Sequence, residues 1–178
     1  MKLLIGYATS EGQTRKIARH IADRAVDHGH AVELLALADA DDISLSRFDA
    51  ILLAASVHVS HYPKAFSQFV SDHADELGKA NARFLSVSLA AAGHDAEDWR
   101  GLDQIVADFT AATGWTPSET KHIAGAYCPS HYDPVTGFVM RRIIAKKDPG
   151  ADPKTDKEYT DWADLDGWVD RWAGQAGA

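Results

Sequence analysis

Cysteine and long apolar runs are scarce in this 178-residue sequence, and each shortage excludes a class of protein. The single cysteine, Cys128, excludes an internal disulfide and a cysteine-rich metal site. No apolar run approaches the roughly 20 residues that are needed to span a bilayer. Met1 and Lys2 lead directly into a short apolar run, without the pattern of a signal peptide. We therefore expect a cytoplasmic protein.

Positive charge is also in short supply. The 18 Lys and Arg residues are outnumbered by 26 Asp and Glu residues, which gives a formal net charge of −8. Such a surface does not attract nucleic acid or an anionic membrane as a whole, so any basic binding surface must be local. The histidines lack acidic or cysteine partners at zinc-ligand spacing, and no metal site is expected. The length and composition fit one globular domain over residues 1–178.

Short apolar runs alternate with amphipathic segments along the chain. The pattern predicts strands at 3–5, 31–37, 48–55, 84–89 and 121–126, and helices at 14–26, 63–73, 102–113 and 162–172. The acidic run at 39–42 is typical of a solvated loop. The alternation predicts an α/β fold with an open parallel sheet covered by helices on both faces. The segment 127–158 is too long for a connection in such a fold, and loops of that length are usually functional or disordered.

The turn from Tyr7 to Thr14 carries the strongest functional pattern. A strand that turns tightly into a helix directs the free N–H groups of the helix at one point, which suits an anion. The turn has hydroxyls at Thr9, Ser10 and Thr14, and Gly12 lets the backbone approach a ligand closely. It lacks the lysine of GxxxxGK[ST] and the glycines of GxGxxG. The turn therefore suits one terminal phosphate monoester, the alternative being an ordinary capped turn.

Two further segments are expected beside this turn, because ligands of doubly wound sheets bind at the carboxyl ends of the strands. The segment from Ser56 to Tyr62 mixes hydroxyls, imidazoles and one aromatic ring, as a planar polar heterocycle requires. The segment from Ser88 to Gly93 is small and apolar, so a flat ring could lie against its backbone. His61 and Tyr62 either touch that ring or pack at the entrance of the next helix.

The pattern Thr9-x-x-Gly12-x-Thr14 resembles the FMN phosphate loop of flavodoxins. A closer resemblance is to the flavodoxin-like, quinone-linked protoporphyrinogen IX dehydrogenases of haem synthesis. It rests on Gly12-Gln13-Thr14-Arg15, Ala55-Ser56 with His61-Tyr62, Ala65-Phe66, Ile123-Ala124-Gly125-Ala126 and Tyr159-Thr160-Asp161-Trp162. This resemblance implies a five-stranded parallel sheet in the order 2-1-3-4-5, with a long insertion before the last helix. It also implies an FMN cofactor, a porphyrinogen-type substrate and a quinone.

An FMN bound in this way implies a set of contacts. The expected cofactor residues are Thr9, Ser10, Glu11, Gly12, Gln13, Thr14, Ser56, Val57, His58, Val59, His61, Tyr62, Ser88, Leu89, Ala90, Ala91 and Gly93. Backbone N–H groups of residues 56–59 would meet the flavin edge. The sequence assigns no catalytic residue. Since the acidic composition also suits a flavodoxin that only carries electrons between redox partners, that second function stays open.

The insertion is expected to provide substrate access and a reversible contact with the inner face of the membrane. The residues expected to touch substrate or membrane are Tyr127, Tyr132, Phe138, Arg141 and Arg142. Val139, Met140, Ile143 and Ile144 would share one side of a short helix, with the basic residues of 141–147 toward its edges. Such a helix could lie at a bilayer surface, where quinones dissolve. The alternatives are a helix packed on the protein's own surface or in a dimer interface.

Overall fold

Five parallel strands form the centre of the molecule, in a computed structural model that describes residues 1–40 and 43–176. The strands are β1 (Lys2–Ala8), β2 (Ala31–Ala36), β3 (Ala50–Ser56), β4 (Ala82–Ser88) and β5 (Thr120–Ala124). Their order is β2-β1-β3-β4-β5, which confirms the predicted sheet. Part of the acidic run at 39–42 falls outside the described residues. In the part of the chain that is described, no helix is both long and apolar enough to cross a bilayer.

Helices cover both faces of the sheet, because the central strands are apolar on both sides. In β3 every residue from Ala50 to Ala55 is buried. The helices are α1 (Gln13–Asp27), α2 (Lys64–Asp72), α3 (Ala74–Lys79), α4 (Ala96–Thr113), α5 (Pro134–Lys147) and α6 (Trp162–Ala176). On one face α1 and α6 pack against β1 and β3, with Trp168 and Trp172 buried there. On the other face α2 and α4 pack Phe66 and Phe109 against Phe84.

Several predicted boundaries differ from those in the structure by two residues or more, and two of the differences have a local reason. The helix α4 begins at Ala96 rather than Leu102, because Asp95 caps it: its Oδ1 accepts from the N–H groups of Glu97 at 2.8 Å and Asp98 at 3.4 Å. The fifth strand ends at Ala124 because the Gly125 N–H makes the last ladder bond, to the Ser88 carbonyl at 3.0 Å, and Ala126 pairs with Glu158 of the insertion instead. The short helix α3 was not predicted.

The long insertion is ordered. Its ends pair as a two-stranded antiparallel ribbon of β6 (Ala126–Tyr127) and β7 (Lys157–Glu158), and α5 lies between them. Asp133 caps α5, with its Oδ1 accepting from the Val135 N–H at 2.9 Å and the Thr136 N–H at 3.1 Å. The insertion therefore leaves the sheet at the carboxyl end of β5 and returns there, beside the loops that were expected to bind the ligand.

Candidate functional site

A cavity of about 470 Å³ lies at the carboxyl ends of the strands. It brings together the three predicted loops and one side of the insertion. The lining residues from the three loops are Thr9, Ser10, Glu11, Gln13, Thr14, Ser56, Val57, His58, Val59, Ser88 and Leu89. The remaining ones are Val87 of β4 and Gly125, Ala126, Tyr132, Val135, Thr136, Val139, Met140 and Ile143. The convergence of the three loops is as predicted, whereas the contributions of Val87, Gly125, Ala126, Val135 and Thr136 were not predicted.

The first loop forms a backbone cradle at the start of α1. Gly12 has φ of 95°, in the left-handed region where glycine is favoured, and its N–H donates to Thr9 Oγ1 at 2.9 Å. The first helical hydrogen bond runs from the Lys16 N–H to the Gly12 carbonyl, so the helix does not use the three N–H groups of residues 13–15. Among the described residues, the first turn of α1 has no acidic side chain and no side-chain cap. This end of α1 therefore suits an anion.

The Thr14 side chain gives independent evidence for an anion. Thr14 is fully buried, lines the cavity, and its Oγ1 has no hydrogen-bond partner within the described part of the chain. A buried hydroxyl without a partner costs about 1–3 kcal/mol, so natural proteins rarely leave one unless a ligand completes it. The oxygens of a phosphate beside the N-terminus of α1 would accept hydrogen bonds from this hydroxyl and from the free N–H groups. The residues present thus fit the phosphate monoester of FMN.

The Gln13 side chain is held by the returning end of the insertion. Its Nε2 donates to Glu158 Oε2 at 2.8 Å and to Thr160 Oγ1 at 2.9 Å, while Thr160 donates on to the Ala124 carbonyl at 2.7 Å. Lys16 Nζ also contacts Glu158 Oε2, at 2.6 Å. The side chain that was expected at the cofactor instead ties the first loop to the returning end of the insertion.

The second loop makes a tight turn at the mouth of the cavity. His58 and His61 pair across it, and the two residues between them have positive φ, 47° for Val59 and 61° for Ser60. The N–H groups of Val57 and His58 already donate to the carbonyls of Val87 and His61, both at 2.8 Å. These two N–H groups are therefore not free for the flavin edge, contrary to the expectation for residues 56–59. Val59 remains 80% exposed and borders the cavity.

His61 and Tyr62 lie on the far side of this loop and do not line the main cavity. The Tyr62 ring is buried against Phe66, Phe84 and Phe109, and its Oη is 2.8 Å from Ser86 Oγ. Burial raises the pKa of Tyr62 to about 12. Both residues border a second cavity of about 430 Å³ between α2 and α4. In this arrangement Tyr62 packs at the helix entrance, which is the alternative that the sequence left open.

The third loop contributes Ser88 and Leu89 to the cavity wall. Ala90 and Ala91 continue into a short 3₁₀ turn whose Ala91 N–H donates to Ser88 Oγ at 3.2 Å. They do not line the cavity, and neither does Gly93. Lys147, the last residue of α5, donates to the Ala90 carbonyl at 3.2 Å and to Asp98 Oδ2 at 2.6 Å. The insertion therefore holds the third loop in place from outside.

Helix α5 forms an apolar wall of the cavity. Val135, Val139, Met140 and Ile143 line it, while Ile144 is buried beneath the helix at 1% exposure. Three of the four residues that were predicted to share one side thus face the cavity. Phe138 is 57% exposed on the outer side, where the Arg142 guanidinium lies 4.8 Å from its ring centroid.

The other insertion residues that were predicted to meet substrate or membrane take different positions. Tyr127 is fully buried and its Oη donates to the Pro153 carbonyl at 2.9 Å, so its ring does not reach the cavity. The Arg141 Nε donates to the Gly137 carbonyl of its own helix at 3.1 Å. Tyr132 lines the cavity, and its Oη accepts from the Cys128 N–H at 3.1 Å. Burial raises the pKa of Cys128 to about 11, which keeps this thiol protonated and poorly reactive.

Comparison with known families and sequences agrees with this geometry. A family model described as a flavodoxin domain matches residues 4–156. The chain is 28% identical over 162 residues to a protein of Escherichia coli K12 named protoporphyrinogen IX dehydrogenase (quinone), covering 91% of this chain and 89% of that protein. A Leishmania major protein of the same name is 28% identical over 165 residues, covering 91% of this chain and 70% of that protein.

Solved structures show a similar fold. A cysteine-to-serine mutant of flavodoxin from Pseudomonas aeruginosa superimposes with a TM-score of 0.60 at 14% identity, over the full length of both chains. Oxidised flavodoxin 1 from Bacillus cereus gives a TM-score of 0.51 at 18% identity, covering 85% of this chain and all of that one. At these identities the likeness concerns the fold alone.

Proposed function

The chain belongs to the flavodoxin domain family, and from that premise we propose that it is an FMN-dependent dehydrogenase that oxidises protoporphyrinogen IX and delivers the electrons to a quinone. Membership of this family implies a flavin, and the identification of that flavin as FMN is part of the proposal. A bound FMN would supply the two-electron redox chemistry. The protein would hold it, shield one face from water and admit the electron donor.

The cavity offers a place for each part of the cofactor. The phosphate would sit at the N-terminus of α1, held by the Thr14 hydroxyl and the backbone N–H groups of residues 13–15. The ring would lie between the loop at 56–59 and the Ser88–Leu89 wall. The phosphate site has no dedicated cation among its described lining residues, so the N–H groups and the helix dipole would supply the positive potential.

One observation favours an enzyme over an electron carrier: the apolar wall that α5 adds to the cavity. Val135, Val139, Met140 and Ile143 extend the lining beyond the three loops that suffice for a flavin. A carrier exchanges electrons with protein partners and needs no such space, whereas a bulky apolar donor or a quinone would fill it. The sequence similarity to the two dehydrogenases extends over 91% of the chain.

The outer side of α5 suits a weak contact with the inner membrane surface. Phe138 is exposed there with the Arg142 guanidinium against its ring, and Lys146 is a further exposed cation of the same helix. Each such cation contributes about 1 kcal/mol near anionic lipid, so the contact would be reversible and sensitive to salt. A quinone dissolved in the bilayer would then meet the mouth of the cavity, while the protein otherwise remained cytoplasmic.

An anaerobic assay with protoporphyrinogen IX and menadione tests the proposed function. We expect FMN-loaded protein to form protoporphyrin, with three menadiols for each porphyrin because that oxidation removes six electrons. Val139→Asp, which places a charge on the cavity wall, should abolish turnover and leave liposome association intact. Its neighbour Phe138→Asp is the matched control on the outer side, and it should lower liposome association and keep turnover with soluble menadione.

The alternative is a flavodoxin that carries electrons between proteins, which the net charge of −8 favours. A loaded wild-type protein that exchanges electrons with a flavodoxin reductase but leaves protoporphyrinogen IX unoxidised would establish that alternative. Failure to bind any flavin would refute both functions.

A further inference from the structure

Three titratable side chains from separate segments meet at the cavity. Glu11 precedes the phosphate cradle and lines the cavity together with His58 and Tyr132. The Glu11 Oε1 is 4.0 Å from the His58 Nδ1. The Tyr132 hydroxyl accepts from the Cys128 N–H at 3.1 Å and lies beside the Glu11 carboxylate, where its own O–H is a donor that lowers the pKa of Glu11. The group thus joins the first loop, the second loop and the insertion.

We propose that the Glu11 carboxylate is the proton acceptor of the dehydrogenation, and that His58 passes the proton on to solvent. The proposal rests on the proposed function. Glu11 is enclosed, with a side chain 25% exposed, whereas the His58 side chain is 46% exposed at the mouth. A route from Glu11 to His58 therefore leads from the cavity interior to water. Tyr132 would be a positioning residue, which holds the carboxylate toward the cavity.

The step balances with the flavin as oxidant and a quinone as its final acceptor. Oxidation of the porphyrinogen to the porphyrin breaks four meso C–H bonds and two N–H bonds in three two-electron steps. In each step one C–H hydrogen would leave with the electron pair toward the flavin and one hydrogen would leave as a proton, from nitrogen in two of the steps and from a meso carbon, by tautomerisation, in the other. An Oε atom of Glu11 binds that proton and becomes a neutral carboxylic acid, until His58 accepts it and releases it to water. The quinone takes up two electrons and two protons overall.

The surroundings of Glu11 give it suitable basicity. Burial raises the pKa of Glu11 above its ordinary 4.5, and the nearby His58, Tyr132 and His131 oppose this without cancelling it. Cys128 also faces the carboxylate, whose charge helps to raise the pKa of that thiol. A phosphate bound at the adjacent cradle adds negative charge and would raise the pKa of Glu11 further. A base with a raised pKa is a more effective proton acceptor near neutral pH.

The first arm of the test measures the proton on Glu11 without any substrate. Carbon-detected NMR of the side-chain carboxyl, assigned by comparison with Glu11→Gln, gives its titration midpoint in the apoprotein and in the FMN-loaded protein. We expect a midpoint above 4.5 in the apoprotein and a higher one with FMN bound. A midpoint at or below 4.5 in both forms would overturn the proposal.

The second arm measures anaerobic reduction of the bound flavin by protoporphyrinogen IX against pH. In the wild type the rate should fall as pH drops through the midpoint of Glu11. Glu11→Gln should reduce that rate by about 10²- to 10⁴-fold and remove the pH dependence. Its FMN Kd should not rise above that of the wild type, because the substitution keeps the backbone cradle and removes a negative charge beside the phosphate. Tyr132→Phe should shift the pH profile upward, since the carboxylate loses a donor that favours its charged form.

The matched control is Glu97→Gln, which removes an exposed carboxylate at the start of α4, outside the cavity. Its rate and pH profile should equal those of the wild type. A Glu11→Gln protein that keeps both the wild-type rate and the wild-type pH profile overturns the role of Glu11 and leaves the proposed function standing. If the flavin bound to the wild-type protein takes no electrons from the porphyrinogen, both the proposed function and the role of Glu11 are overturned.

Discussion

Replacing Thr14 with valine isolates a hydroxyl that has no partner in the part of the chain that the structure describes. Valine has nearly the shape of threonine, so the substitution keeps the packing of the fully buried side chain and removes only Oγ1. In the apoprotein that hydroxyl is a desolvated donor without an acceptor among the described residues. Its removal should therefore leave the free energy of unfolding unchanged or raise it, by up to about 1–3 kcal/mol.

The same substitution should weaken FMN binding. A hydrogen bond from a buried hydroxyl to a charged phosphate contributes about 1.5–3 kcal/mol. Since each 1.4 kcal/mol is a factor of ten, the Kd of the Thr14→Val protein should rise about 10- to 150-fold. Quenching of FMN fluorescence on titration with apoprotein measures the Kd, and urea unfolding of the apoprotein measures the stability.

Thr113→Val provides the matched control. Thr113 is also buried, but its Oγ1 donates to the Phe109 carbonyl at 2.9 Å and lies outside the main cavity. This substitution should lower the free energy of unfolding by about 0.5–1.5 kcal/mol and leave the Kd for FMN unchanged. A Thr14→Val apoprotein that is destabilised as much as Thr113→Val and still binds FMN with wild-type affinity would show that the Thr14 hydroxyl does not serve the ligand.

Three further predictions concern the backbone and pH. Gly12→Val should strain the φ of 95° by about 1–2 kcal/mol and raise the Kd for FMN far more than it lowers apoprotein stability, as paired titration and urea unfolding would show. Val59→Asn should raise the apoprotein melting temperature, because asparagine tolerates the positive φ of 47° better than a β-branched residue; an unchanged or lower value would contradict this. Hydrogen bonds from Arg24 and, to a smaller extent, from His28 lower the pKa of Asp170 below its ordinary 3.8. That contribution to stability is present above about pH 4 and is lost as pH falls below it, so Asp170→Asn should flatten the acid side of the stability–pH curve in calorimetry.

The parts of the site that the sequence predicted are those whose conformation is decided locally. The cradle around Gly12 and Thr14 depends on one strand, one turn and one helix, so its residue pattern was sufficient. The start of α4 had a comparable local signal in Asp95-x-x-Asp98, a cap followed by an acidic residue in the first turn, and it could have been found. The order of the strands followed from the resemblance and was confirmed.

The parts that could not be predicted depend on partners far away in the chain. The Gln13 amide leaves the cofactor loop because Glu158, 145 residues later, accepts from it. Tyr62 packs into the core because Phe84 and Phe109 make an aromatic cluster with room for its ring, and Ser86 meets its hydroxyl. Neither residue has a local pattern that distinguishes a ligand contact from a packing contact.

Two sets of hydrogen bonds join the insertion to the cofactor loops, so a bound cofactor would stabilise segments that it does not touch. Gln13 and Lys16 fasten β7 to the phosphate loop, and Lys147 fastens the end of α5 to the third loop. A ligand that immobilises both loops must also make local opening of the insertion rarer. By thermodynamic linkage, the factor by which the ligand lowers the opening equilibrium equals the factor by which an ordered insertion raises the affinity for the ligand. If the chain binds the proposed flavin, amide hydrogen exchange across residues 126–158 would report cofactor loading at a distance. The chain without flavin would then be the form that exposes this segment to proteases.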